Sequence, residues 1–475
     1  MLNDHSNHHF GIITCIDLYG QGKRYYDSYG DSKLWRNAHC FNHTICSSCI
    51  VQLEQRDTTQ KKSQMKNNKF YIKIILTICS FFLGLIVNAQ QLQSLIEEAL
   101  VNNPEIQKFE LQYNIASEKV NEVNTIPNTE LGVGYFVSEP ETRTGAQRFK
   151  VSAKQMIPWF GTITSRENYV SSLASTKYED IVIAKRKLMA SVSQSYYKLY
   201  ANKAKQDVLK ENIALLKTYE TLALTSVEVG KASAVDVLRL QIRQNELEQL
   251  KKVLAQKYLT EQTVFNKLLN RDKSIAIDVI KEFSFPIEDN ILETGNLELH
   301  PELTKYDKLY QSVGQSELLN QKESNPMIGF GLDYVSVEER PNMNFSDNGK
   351  DILMPMVSLS IPIFNKTYKS QTKQNEIKQF EIKAQKQERL NKLEVFLDRA
   401  VNDRISARIC HDTQSKNLKE AKDAEQILLK NYETGTIDFN DVLDIQELQL
   451  KFQVNQIESV KDYYVQTTII NYLSN

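Results

Sequence analysis

The sequence predicts a mainly α-helical chain with a β part, written as two tandem repeats that each give a two-stranded hairpin and long helices. Three observations carry this. Two runs, residues 164–228 and 366–432, contain neither Pro nor Gly, so no breaker interrupts a helix there. Short stretches ahead of them alternate apolar residues with polar ones or glycine, the period of a strand. The same landmarks then occur twice in the same order.

The first copy opens with Ala99-Leu-Val-Asn-Asn-Pro104-Glu-Ile and the second with Leu299-His-Pro301-Glu-Leu. Leu131-Gly-Val-Gly-Tyr135 is answered by Ile328-Gly-Phe-Gly-Leu332, and Gln155-Met-Ile-Pro158-Trp-Phe-Gly161 by Leu359-Ser-Ile-Pro362-Ile-Phe-Asn365. Gly230 before Asp236-Val-Leu238 recurs as Gly435 before Asp441-Val-Leu443. The offsets are 197, 204 and 205 residues, growing where the second hairpin has the longer loop. The repeats are expected over 90–285 and 286–475.

Within each copy, residues 92–126 and 300–324 are rich in Glu, Lys, Gln and Leu and predict helices. In the strands that follow, Phe149, Val151 and Ala153 alternate with Lys150, Ser152 and Lys154, while Val357, Leu359 and Ile361 alternate with Ser358 and Ser360. Period 2 over roughly ten residues suits a membrane-spanning strand, with one face to lipid and one to a lumen. It suits a soluble hairpin equally well. The long runs would reach about 100 Å at ~1.5 Å per residue. After Gly230 and Gly435 the chain is expected to return as helices over 234–271 and 439–473. There the 3,4 spacing of Val235, Leu238 and Ile242, then Leu247, Leu250 and Leu254, predicts the pairing seam. If the strands lie in lipid, four of them cannot close a barrel, and open edges are not tolerated there. Copies must then share one barrel, and three copies give twelve strands.

Met65 to Lys73 is a basic n-region, Ile74 to Val87 an apolar h-region, and Val87-Asn88-Ala89 a small-residue cleavage site. Residues 65–89 therefore predict a secretory signal peptide. Its 14 apolar residues are too few to span a bilayer comfortably. Because an n-region is short, residues 1–64 are expected to be a non-native or disordered upstream extension, with translation starting at Met65. His39, Cys40, His43, Cys46 and Cys49 lie in that extension, but Cys46-x-x-Cys49 lacks a clean second pair for zinc. Beyond the signal only Cys410 remains, so no internal disulfide staples the exported chain. With 58 basic and 59 acidic residues, net charge is −1 and nothing favours nucleic acid as a partner. A mean hydropathy of −0.43 excludes a bundle of membrane helices. No nucleophile, metal cage or phosphate loop stands out, so neither enzyme chemistry nor a cofactor is expected. His300 and His411 read as isolated surface or packing residues.

The Ala-Leu-x-x-Asn-Pro opening, the Gln155-Met-Ile-Pro-Trp-Phe-Gly161 strand end and the doubled Gly-x5-Asp-Val-Leu turn resemble the outer-membrane efflux protein family, typified by TolC-like outer membrane channels. The resemblance covers about residues 90–473. It implies a homotrimer with a 12-stranded β-barrel in the cell outer membrane and a periplasmic α-helical barrel. It also implies work with a periplasmic adaptor and an inner-membrane pump of RND type, as the passive exit duct of a tripartite efflux system. Heavy-metal ions and multiple drugs are both cargoes of such ducts, because the pump selects. A type I secretion duct, a non-channel helical envelope scaffold and a periplasmic adaptor remain alternatives. The adaptor is disfavoured because its single hairpin does not match a tandem repeat.

The resemblance further implies an acidic constriction at the periplasmic tips. Asp441 and Asp444 match its two aspartates and Asp236 the acidic residue of the first copy. Asp441 and Asp444 share a helix face, and a three-fold ring of them would favour cations. The competing reading is that aspartates in a first helical turn simply cap it. An arginine that locks some members is replaced here by Ile437, leaving Lys231 or Arg239 for that task. Gly230 and Gly435 are expected in left-handed turns at the tips. Pro158, Trp159, Phe160, Pro362 and Phe364 are expected at the junction of barrel and helix, where aromatic belts sit.

Overall fold

The computed structural model describes residues 92–230, 233–288 and 297–474. The leader, the signal segment 65–89 and Lys231 lie outside the described residues. Helix α1 covers residues 92–102. It is followed by α2 (Pro104–Val123), β1 (Glu130–Tyr135), β2 (Glu141–Thr142), β3 (Gly145–Ile157), α3 (Thr162–Glu228) and α4 (Ala234–Leu268). A 3-10 turn, Leu297–Leu299, precedes α5 (Pro301–Glu323), β4 (Met327–Glu338), β5 (Ile352–Ser360), α6 (Thr367–Glu433) and α7 (Phe439–Ser474). The chain is thus mostly helical with a small antiparallel sheet. Both long helices run 67 residues, about 100 Å at ~1.5 Å per residue.

The helix expected over 92–126 is two helices, divided at Asn103. Pro104 opens α2, where its missing N–H costs nothing. The Asn103 side chain caps it by accepting from the Glu105 N–H at 2.8 Å. The same side chain donates from Nδ2 to the Leu268 carbonyl at 2.8 Å, in the last turn of α4. His300 repeats the arrangement ahead of Pro301. Its Nδ1 accepts from the Glu302 N–H at 3.3 Å, and its Nε2 lies 3.2 Å from the Tyr472 carbonyl in the last turn of α7. Each repeat therefore fastens the start of its short helix to the end of its returning helix through one side chain.

The four long helices lie side by side: α4 packs on α3, α3 on α7 and α7 on α6. Helix α2 rests on α3, and α5 bridges α3 and α6. Near the distal turns, Ile213, Leu216, Ala223, Leu240, Phe439 and Val442 belong to one buried cluster. At mid-height the first repeat buries Ile106, Leu199, Phe265 and Leu269 together, and the second buries Leu303, Leu393, Ile470 and Leu473. Full burial of each such side chain is worth ~1.5–3 kcal/mol.

The expected α4 seam is only half right. Leu247 is buried and Leu254 packs against the distal core, but Val235, Leu238, Ile242 and Leu250 are 49–59% exposed. The contact with α3 is made by Val237 and Leu240, together with the expected Leu247. Helix α4 therefore has two apolar lines, and the protomer covers one.

The sheet order is β1-β3-β4-β5, all antiparallel, with β2 beside the start of β3. Register puts Val133, Val151, Tyr334 and Leu353 on one rung, and Leu131, Ala153, Leu332 and Pro355 on the next. Phe330 pairs with Val357, and Ile157 with Ile328 and Leu359, on the same face. The opposite face carries Gly132, Ser152, Asp333 and Met354 on one rung and Glu130, Lys154, Gly331 and Met356 on another. Among the described residues no helix is long and apolar enough to cross a membrane.

Candidate functional site

The two faces of the sheet differ in a way that period 2 alone does not reveal. The apolar face stands open: Leu131 is 77% exposed, Val133 81% and Val357 75%. On the other face Val335, Val337 and Asp333 are buried, and Lys150 forms an ion pair with Asp333. That face is crowded. A Cβ on Gly329 would lie 2.3 Å from the Ser358 hydroxyl, and one on Gly132 would lie 2.7 Å from the Ser152 hydroxyl. The glycines that alternate with apolar residues thus leave room on this face for the serine hydroxyls of the neighbouring strands. Among the described residues, edges β1 and β5 have no partner strand on their outer sides. Pro355 lies in β5, an edge strand of the protomer, where sheets tolerate proline.

The junction residues gather at one end of the sheet, because β3 and β5 run in the same direction and both enter long helices. Pro158 is buried and Pro362 half-buried, while Phe160 and Phe364 are 79% and 97% exposed. Trp159 packs edge-on against Phe160 with ring centres 5.9 Å apart. Gly161, at φ 82°, makes the turn into α3.

At the distal end Gly230 and Gly435 have φ of 72° and 76°, the left-handed region that glycine enters freely. No heavy atom lies within 4 Å of the site of a Cβ at either glycine, so conformation alone requires glycine there. The two turns flank a cleft of about 410 Å³, lined in part by Ser233, Asp236, Tyr432, Ile437 and Asp438.

The three acidic candidates do not share one environment. Asp236 is buried in a capping box: its carboxylate accepts from the Ser233 N–H while the Ser233 hydroxyl accepts from the Val235 N–H. In the second copy the cap falls to Asp438, which accepts from the Asn440 N–H at 3.0 Å. Asp441 and Asp444 are left exposed on one face of α7, with Val442 buried behind them. Among the described residues neither has an ion-pair partner.

Sequence reasoning missed the polar ties that hold the two helical hairpins together. Arg239 on α4 donates to Asn440 on α7 and lies 3.9 Å from Asp236. Arg243 pairs with Glu447 of α7 at 3.5 Å and with Glu246 at 2.8 Å. Glu425 of α6 accepts from Tyr219 of α3 at 2.5 Å and from Gln446 and Gln449 of α7. Burial and this carboxylate push the Tyr219 hydroxyl well above the usual phenol range, so it remains a donor at all physiological pH. Only Arg239 carried a signal in the sequence, through its position after the turn. Ile437 packs against the distal core.

The family described as outer membrane efflux protein matches residues 95–271, within the first repeat. No curated protein matches the chain at a significant level. Among solved structures, the chain is similar to CusC, described as forming a transmembrane channel, with TM-score 0.67 and 14% identity over 81% of this chain and 92% of that one. It is similar to the outer membrane protein VceC of Vibrio cholerae, with TM-score 0.65 and 15% identity over 81% and 96%. It is also similar to the MtrE outer membrane channel of Neisseria gonorrhoeae, with TM-score 0.60 and 16% identity over 80% and 89%. At such identities the structures speak for fold. The first repeat thus resembles the outer membrane efflux protein family in sequence, and the chain across both repeats shares the fold of these solved channels.

Proposed function

We propose that this chain is the exit duct of a tripartite efflux system, a homotrimer whose twelve strands form one barrel in the outer membrane. The observation that carries the reading is the open apolar face that spans all four strands and ends in two unpaired edges. In water such a face is a liability, whereas in lipid it is required. The edges are antiparallel to each other, so β1 of one copy can pair with β5 of the next without breaking the alternation. The helices offer edges on a similar plan. Helix α4 exposes Val235, Leu238, Ile242 and Val253, and α6 exposes Val395, Phe396, Ile405 and Ile409. These lines would close the helical barrel in the periplasm.

In this reading the signal peptide at 65–89 directs export, and Trp159, Phe160 and Phe364 mark the boundary of lipid and water. The tips at Gly230 and Gly435 meet a periplasmic adaptor, which links the duct to an inner-membrane pump of RND type. Asp441 and Asp444 line the constriction and favour cations, while Asp236 holds its own turn in shape. Arg239 and Arg243 tie the hairpins where Ile437 leaves no arginine. The duct is passive and performs no catalysis, so its cargo, heavy-metal ions or drugs, is chosen by the pump.

The test is a cysteine scan in a Cys410→Ala background, pairing positions 131–135 of β1 with positions 353–359 of β5 under oxidation. The expected result is a ladder of covalent dimer and trimer that stops at three. A scan without any ladder, or a ladder passing three, would overturn the shared barrel.

A further inference from the structure

The fastening residue is Asn103 in the first repeat and His300 in the second, and only one of these titrates. We propose that His300 is an acid-sensitive clasp: a proton on its ring frees the start of α5 from the end of α7, while the Asn103 clasp stays shut. The inference stands apart from the duct reading, because it concerns one side chain and its two backbone partners.

An amide side chain has a fixed acceptor oxygen and a fixed donor nitrogen, so Asn103 serves both partners at any pH. An imidazole serves both only when neutral. Nδ1 accepts from the Glu302 N–H and therefore carries no proton, which leaves Nε2–H to donate to the Tyr472 carbonyl. Protonation turns Nδ1 into a donor facing another donor. It also sets a cation at a helix N-terminus, where the dipole disfavours one.

The surroundings sharpen the effect. His300 is 3% exposed, and its ring meets that of Tyr472 edge-on at 5.2 Å. The charged groups around it are Glu302 on α5, Arg186 and Lys187 on α3, and Arg389 on α6. Among the described residues that act on the ring Glu302 is the anion, and it is already engaged by Arg389, by Lys187 at 3.4 Å and by the Tyr472 hydroxyl. Burial is the largest influence on the ring and lowers its pKa below the usual 6.5. Glu302 and the Tyr472 carbonyl work the other way, and the two arginines reinforce burial. The unfolded chain therefore takes up the proton first. The stability contributed by the clasp is complete above about pH 6.5 and is lost as pH falls through the window below it.

The experiment is hydrogen–deuterium exchange by mass spectrometry on the full chain in detergent, at pH 7.5 and 5.5, with rates corrected for intrinsic pH dependence. On acidification, protection of amides 302–304 is expected to fall about five-fold, the size of one lost helix cap. Amides 105–107 of the first repeat should hold theirs. His300→Asn should abolish the acid response, and Asn103→His should install one in the first repeat. Equal responses of the two repeats in the wild type, or an acid response that persists in His300→Asn, would overturn the clasp. Should His300→Asn fail to fold, the wild-type contrast and the Asn103→His arm decide the matter alone.

Discussion

Leu332→Arg puts the membrane reading of the sheet at risk. The apolar face comprises five rungs, from Tyr135–Phe149 to Ile157–Ile328–Leu359, and Leu332 lies on the middle one. At two residues per rung and ~3.4 Å per residue the face runs about 27 Å along the strands. With a tilt of ~40° this is about 21 Å of height, close to the ~25 Å apolar band of an outer-membrane barrel. Leu332 then sits near the bilayer midplane, 47% exposed on a central strand. An arginine there costs about 2–4 kcal/mol per protomer, and three times that per trimer. On a water-facing surface the same change stays within ~0.5 kcal/mol. The assay is equilibrium unfolding in urea of protein refolded into phospholipid vesicles. Lys154→Leu, on the opposite and exposed inner position, serves as control and should change stability by less than ~1 kcal/mol. A Leu332→Arg protein as stable as the wild type would refute the assignment of this face to lipid.

Other consequences concern the helical part. Asp441→Asn with Asp444→Asn should reduce the cation preference of single channels in planar bilayers. Unchanged ion selectivity would return both residues to ordinary helix starts. Arg243→Ala should lengthen open dwell times by loosening α4 from α7, and pairing it with Glu447→Ala should add little, because both remove one contact. Fully additive effects would show that the 3.5 Å pair carries no coupling. Lys205, in an ion pair with Glu458, is brought down to about 8 by burial first and by Lys461 and Lys257 next. A lysine depressed in the fold binds fewer protons there than in the unfolded chain, so stability should rise between about pH 8 and the unfolded value near 10.4. Lys205→Met should flatten that rise, with Glu458 still paired to Lys461. An identical slope in the variant would place the effect elsewhere.

Much of this architecture can be read from the residues in order. A helix without breakers, a strand with period 2 and a doubled set of turns are local properties, decided by side chains a few residues apart. The runs 164–228 and 366–432 became α3 and α6 within two residues at either end. The glycine-punctuated strands lie where their alternation put them. The break at Asn103 is legible in Pro104, although helix formers on both sides continue the pattern across it.

What neighbours what was not legible. Helix α4 carries two apolar lines two residues apart in phase, and 3,4 spacing describes both. Only packing on α3 shows that Val237, Leu240 and Leu247 are covered while Val235, Leu238 and Ile242 are not. Asp236 and Asp441 occupy matching places in the repeat, yet a serine at 233 draws one into a cap, and Asp438 leaves the other free. His300 read as isolated because its second partner is 172 residues away. The sequence by itself determined the elements, their lengths and their doubling, since those follow from local sterics and periodicity. The tertiary structure decided which apolar line is core, which aspartate is free and which histidine is a clasp, because each depends on contacts between residues far apart in the chain.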